Sequence, residues 1–293
     1  SLSPAAALYG VKRQILTIHD LRPLTVAQDE VHGQRASQSP LANLFYKLTF
    51  PHNIRKATWL LSVSHATKRH LTNLFPSVEH KTIVVHSGVE QRYFSPPEAT
   101  ISQMIIKKLE LPERYLLYVG NAEPSKNVPA MIGAFARCVR QYPERFASMQ
   151  FLLAIGKDRH ASECIRIARE WGIEDKVRIL AAFTDEEKHV LYSRATLLFF
   201  VTHGEGFGFP VVEAQASGLP VLASNDASVP EITGETAFLV DPSDEQQITR
   251  NLAEMVFEDS LRNQMAVAGR KNVERFSWDE TARKVLDIYQ FLM

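Results

Sequence analysis

Short apolar runs and amphipathic stretches alternate along this chain, most regularly after Tyr115. Tyr115–Val119 is a compact apolar run that predicts a strand. Val128, Met131, Ile132, Phe135 and Val139 then recur at the spacing of one helix face. Phe151–Ile155 predicts a second strand, and Ser162–Trp171 a second helix closed by Gly172. Val177–Leu180, Leu197–Val201, Val221–Ser224 and Phe238–Val240 predict further strands. Between them fall a helix over Asp185–Arg194 that Thr184 or Asp185 can cap, and one from Pro210 to Gly218. A third, over Asp244–Phe257, has Ser243 as its cap. Repeated βα units at this spacing imply an α/β fold with a doubly wound parallel sheet. Ligands in such sheets bind at the C-terminal ends of the strands.

The first part of the chain has the same grammar with fewer units. Gln14–Ile18, Trp59–Val63 and Thr82–Val85 read as strands, with a helical stretch near Leu41–Lys56. Ser64 can cap a helix running to about Leu74. The polar, proline-bearing segment from Ser87 to Pro97 reads as a hinge. The expected organisation is a first domain over residues 1–95, a second over 96–275 and a final helix over 276–293.

Composition narrows the function classes. The 293 residues suffice for two domains with real cores. Lys+Arg and Asp+Glu both number 33, so no global charge bias points to nucleic acid or to an anionic membrane. No apolar run approaches the roughly 20 residues that span a bilayer. No secretory signal is visible, and the chain does not begin with Met, which leaves room for a removed N-terminal segment. Cys138 and Cys164 fall in helical patterns and read as reduced structural thiols of a cytoplasmic protein. The ten histidines show no metal-ligand spacing, and no metal or cofactor is expected.

The segment His203-Gly204-Glu205-Gly206-Phe207-Gly208-Phe209-Pro210-Val211-Val212-Glu213 is the most informative. It follows an apolar strand, turns on glycines and enters a helix at Pro210. Backbone N–H groups and the positive end of the helix dipole then converge on one point, which suits a phosphate. Gly206 and Gly208 allow close backbone approach there. A carboxylate at Glu205 or Glu213 can accept two hydrogen bonds from a sugar diol. The pattern suits a nucleotide sugar.

Glu205 and Glu213, with Ala214-Gln215-Ala216-Ser217-Gly218-Leu219-Pro220-Val221 after them, resemble the Glu-x7-Glu signature of retaining glycosyltransferases of family four, which have the GT-B fold. Tyr118-Val119-Gly120, Glu123-Pro124-Ser125-Lys126-Asn127, Val63-Ser64-His65-Ala66-Thr67 and Phe276-Ser277-Trp278 fit the same pattern, so the resemblance runs from about Ile15 to the C-terminus. It implies that Glu213 binds the ribose and that Glu205 contacts the transferred sugar. It implies further that Lys126 neutralises the diphosphate and that His19, at a strand end, reaches the sugar. Asn121 stands where many relatives carry an arginine. The N–H groups of Phe207, Gly208 and Phe209 face sugar or phosphate in this reading, and Gly206 is counted with them as substrate-binding. Lys157 and Asp158 could border the base, and His203 reads as scaffold.

The implied activity is retaining transfer of a hexose, mannose from GDP-mannose as first choice, in bacterial surface-polysaccharide assembly. The partners are a nucleotide diphosphate sugar and a saccharide or lipid-linked acceptor, with no nucleic acid and no transmembrane segment. The setting is cytoplasmic, with room for peripheral contact at the inner face of the membrane. About 85 residues precede the hinge, and they match the latter half of the family's first domain. That domain is therefore expected to be incomplete. The alternatives are a nucleotide-sugar epimerase of the same fold and a non-catalytic nucleotide-binding fragment.

Overall fold

The structure, a computed structural model, describes residues 13–21, 49–156 and 160–291. The expected helix before residue 49 and the pair Lys157 and Asp158 lie outside the described residues. Contacts between residues divide the chain into two compact units.

The first unit contains the described residues up to Gly88, the short insert Gly204–Phe207 and the segment from Phe276 onward. Strands β1 (Ile15–Ile18), β2 (Trp59–Ser62) and β3 (Thr82–Val84) form a parallel sheet in that order. Ile15 lies opposite Trp59, and Leu60 opposite Thr82. Residues 49–56 are helical before β2. Helix α1 (His65–Leu74) follows β2, and the Ser64 hydroxyl caps it by accepting from the Thr67 N–H at 3.0 Å. Successive residues of β2 feed two cores. Leu60 packs with Leu16, Ile18, Ile54 and Leu71. Leu61 packs with Val85 and Ile288. Burial of both faces explains why this strand reads as an unbroken apolar run rather than an alternating one.

In the second unit, α2 (Ala99–Lys108) leads into β4 (Arg114–Val119). Four βα units follow: α3 (Val128–Gln141) to β5 (Met149–Ala154), α4 (Ala161–Glu170) to β6 (Val177–Leu180), α5 (Asp185–Arg194) to β7 (Leu197–Phe200), and α6 (Phe209–Ala216) to β8 (Val221–Ser224). Short α7 (Val229–Thr233) precedes β9 (Phe238–Val240), and α8 (Glu245–Phe257) and α9 (Asp259–Val273) close the unit. All pairings are parallel, in the order β6-β5-β4-β7-β8-β9. The central strands are wholly buried: Leu116, Leu117, Leu198, Phe199 and Leu222 have no exposed surface. Helix α10 (Trp278–Gln290) lies in the first unit and carries Ile288 into the Leu61 core. Among the described residues, no helix is long and apolar enough to cross a membrane.

Local chemistry selects the cap of one expected helix and shifts the starts of two others. Thr184, not Asp185, caps α5, and it forms a capping box with Glu187. Asp244, not Ser243, caps α8 by accepting from the Gln247 N–H at 2.9 Å. The Ser243 N–H donates to Asp241 Oδ1 at 2.8 Å, and that turn holds the chain out of the helix for one more residue. Helix α6 begins at Phe209, so Pro210 is its second residue. Gly208, at φ +92°, turns the chain into the helix one residue earlier than the proline suggests.

Candidate active site

The sheet order of the second unit reverses between β4 and β7. In sheets of this kind, ligands bind outside the strand ends at such a point of reversal. The loops leaving these two strands both carry sequence-predicted residues. After β4 the chain passes Gly120 and Asn121 and makes a tight turn over Pro124–Lys126. Asn127 takes a left-handed conformation at φ 54° and starts α3. Asn121 is exposed. Its carbonyl accepts from the Tyr118 hydroxyl at 2.6 Å, and its side-chain oxygen accepts from the Glu123 N–H at 3.3 Å. Lys126 is buried, with 8% of its surface exposed, so it is not a solvated surface lysine. The His203 N–H donates to the Ser125 carbonyl at 2.8 Å and ties the loop after β7 to the loop after β4.

Glu213 lies just past the first turn of α6, and its side chain is only 12% exposed. Its two oxygens have separate partners. Lys188 Nζ lies 3.0 Å from Oε1, and the Tyr192 hydroxyl donates to Oε2 at 2.9 Å. Both partners come from α5. Burial raises the Glu213 pKa above the ordinary carboxylate value, while Lys188 and Tyr192 pull against that shift. Burial is the largest influence on Lys188 and works to lower its pKa, but Glu213 and Tyr93 together outweigh it and hold the ammonium above its ordinary value. Tyr93 closes the cluster. Its ring meets Tyr192 edge-on at 5.7 Å and lies 5.6 Å from Lys188 Nζ. Burial first, and Glu213 second, push the Tyr93 phenol up to about 12.

The insert Gly204–Phe207 is organised by the first unit. The Gly206 carbonyl accepts from Ser64 Oγ at 2.7 Å and from Thr67 Oγ1 at 3.1 Å. The same glycine abuts His19: a Cβ built on Gly206 would fall 1.8 Å from the His19 carbonyl oxygen. Two motifs far apart in sequence, His19 and the glycine loop bearing Glu205, therefore meet in one unit. Phe207 is buried, packed against the His86 and Phe276 rings at 6.3 and 5.6 Å. Its side chain is an anchor for the loop. His19 is exposed by surface area, yet desolvation by its surroundings holds its imidazole below the ordinary value. Gly208 and the exposed Phe209 open α6 in the second unit.

Sequence reasoning missed Lys188, Tyr192 and Tyr93. The first two stand at i and i+4 on α5, one helix face, and that spacing is the signal that could have paired them. It also read Ser64 as a helix cap alone, without its second bond to Gly206.

A parallel sheet in this order, with its reversal between β4 and β7, defines a doubly wound, Rossmann-type α/β fold. The chain belongs to the family of glycosyl transferases group 1, which matches residues 102–272. It is 24% identical over 289 residues to O-antigen chain mannosyltransferase B of Escherichia coli, covering 97% of this chain and 72% of that protein. It is also 24% identical over 287 residues to a D-inositol 3-phosphate glycosyltransferase of Nocardioides, covering 93% of this chain and 61% of that one. Among solved structures it resembles Anabaena Alr3699/HepE in complex with UDP and glucose, at a TM-score of 0.77 and 17% identity over 95% of this chain and 71% of that one. Likenesses of this kind give the fold, and it is GT-B. The two cysteines form no disulfide and are both buried, and burial pushes the Cys138 thiol up to about 12. A thiol so far from ionising is a packing residue.

Proposed function

We propose that the chain transfers a hexose from a nucleotide diphosphate sugar, with retention at the anomeric carbon, to a saccharide or lipid-linked acceptor. The observation that carries this reading is the pair of features at the reversal point of the six-stranded sheet. One is a buried lysine on the loop after β4; the other is a buried, doubly paired glutamate on the helix after β7. A cation and a helix N-terminus suit a diphosphate, and a fixed carboxylate suits a ribose diol. Lys126 is assigned to the leaving diphosphate and Glu213 to the ribose. Glu205 and His19 are assigned to the transferred sugar, and Asn121 with the backbone from Gly206 to Phe209 to the donor.

In the proposed reaction the bond from the anomeric carbon to the diphosphate oxygen breaks as charge grows on the leaving group. Lys126 and the N-terminus of α6 stabilise that charge, an effect larger in the transition state than in the ground state. The acceptor hydroxyl forms its bond on the same face and passes its proton to the departing diphosphate. Mannose from GDP-mannose is the first choice of donor, because the similar O-antigen enzyme is named a mannosyltransferase. The same similarity favours a role in bacterial surface polysaccharide. The buried free thiols suit a cytoplasmic setting. The test is incubation with GDP-mannose and, separately, UDP-glucose, plus saccharide or lipid-linked acceptors, with the product's anomeric configuration read by NMR. Transfer with retention is expected. Inverted product, or donor binding without transfer to any acceptor, would overturn it.

A further inference from the structure

The environment of Glu213 contains more than the ribose reading needs. A lone carboxylate this deep in protein would tend to take up a proton and lose half its accepting capacity. Here each oxygen has one strong donor: Lys188 Nζ at 3.0 Å on Oε1 and the Tyr192 hydroxyl at 2.9 Å on Oε2. An ionised carboxylate offers about four acceptor sites, so each oxygen keeps one for a further donor. Two donors from one face of α5 also fix the plane of the carboxylate. Tyr93 in turn packs against both donors, with its ring edge-on to Tyr192 and beneath the Lys188 ammonium.

We infer that Lys188 and Tyr192 are positioning residues that keep Glu213 ionised and aim one free lone pair of each oxygen at the two hydroxyls of a nucleotide ribose. This rests on the reading of Glu213 as the ribose acceptor. The charged and titratable groups that act on Glu213 are Lys188 and Tyr192 on α5 and, from the preceding segment, Glu90 and Tyr93. Asp185 also faces Lys188, at 3.6 Å. Lys188 is the cation of this set.

The experiment compares GDP with 2′,3′-dideoxy-GDP, and UDP with its dideoxy analogue, by calorimetry on the parent chain, Lys188→Met and Tyr192→Phe. Circular dichroism checks the fold of each variant. The parent should prefer the ribose form. Each variant should weaken ribonucleotide binding about three- to tenfold, the worth of one hydrogen bond, and leave dideoxy binding unchanged. In Lys188→Met the ribose preference should also fade at a higher pH than in the parent, because the cation opposing protonation is gone. A role in packing alone, or a contact of Lys188 with phosphate, would weaken both ligands equally and overturn the inference. A parent with no preference for the ribose form, or with no binding of either base, would instead overturn the ribose reading of Glu213 itself, and the inference with it. A parent preference that survives unchanged in both variants would overturn the positioning role alone.

Discussion

Gly206 and the carbonyl of His19 are in such close approach that only a hydrogen fits between them: an added Cβ would sit 1.8 Å from the oxygen. The glycine is required here by proximity, because its φ lies outside the left-handed range. Its carbonyl is held by Ser64 and Thr67, so it cannot slide away without losing two hydrogen bonds. Gly206→Ala should therefore displace the loop that carries Glu205. A misplacement of about 1 Å at a reacting group costs on the order of 100-fold in rate. Sugar transfer should fall by roughly that factor, while GDP or UDP binding, which also draws on Lys126 and Glu213, should fall less. Parallel transfer assays and calorimetry check this, and a fully active variant would contradict it.

Much of the fold was legible in the pattern of residues. Val177–Leu180, Val221–Ser224 and Phe238–Val240 are strands at the expected bounds; each is a short, mostly aliphatic segment between helical stretches. Helix starts were less legible. Ser243 and Asp244 can both cap, and the choice rests on a turn made by Asp241 that the local pattern does not display. Pro210 marked a helix start, but the backbone of Gly208 set it. Within the site, the conspicuous glycines and glutamates stood out. Lys188 and Tyr192 did not, because their side chains reach Glu213 only in the folded chain, across 25 and 21 residues of sequence. Adjacency of that kind has no one-dimensional signature.

Gly88 makes a second close approach. A Cβ there would fall 2.2 Å from the Trp278 backbone nitrogen and 2.6 Å from its ring. Backbone cannot yield as a flexible side chain can. Gly88→Ala should force the start of α10 to shift and cost about 1–3 kcal/mol of stability. Thermal or urea unfolding measures this, and an unchanged midpoint would show that the helix start can give way freely.

Glu213 predicts an unusual pH dependence. Burial raises its pKa above the ordinary carboxylate value of about 4.3. The folded chain therefore takes up this proton more readily than the unfolded chain does. As pH falls through the raised value, this site adds to stability, the opposite of a salt-bridged surface carboxylate. Nucleotide binding follows the other sign: it is full above the raised value and declines as pH falls through it, where an exposed glutamate would still be charged. Glu213→Gln should bind nucleotide more weakly at neutral pH and show no such decline. A calorimetric pH series on both proteins checks the point. Identical pH profiles for the two would exclude Glu213 as the titrating group.

Lys126 sits at the end of a tight turn, buried, with its backbone N–H donating to the Glu123 carbonyl at 2.8 Å. The His203 N–H, on the loop after β7, grips the adjacent Ser125 carbonyl. The lysine is therefore presented by a braced loop at the point where the sheet reverses. If it faces the diphosphate, its effect must depend on phosphate charge and not on base or ribose. Lys126→Met keeps most of the side chain's length and removes the charge. A hydrogen bond to a charged group is worth about 1.5–3 kcal/mol. GDP and UDP binding should weaken by that amount, and binding of the uncharged nucleosides should not change. Transfer should slow further still, because negative charge on the leaving group grows towards the transition state. The kinetic signature is a fall in kcat beyond the rise in KM. Equal losses for nucleoside and nucleoside diphosphate would mean that Lys126 supports the turn rather than the phosphate, and the diphosphate assignment would fail.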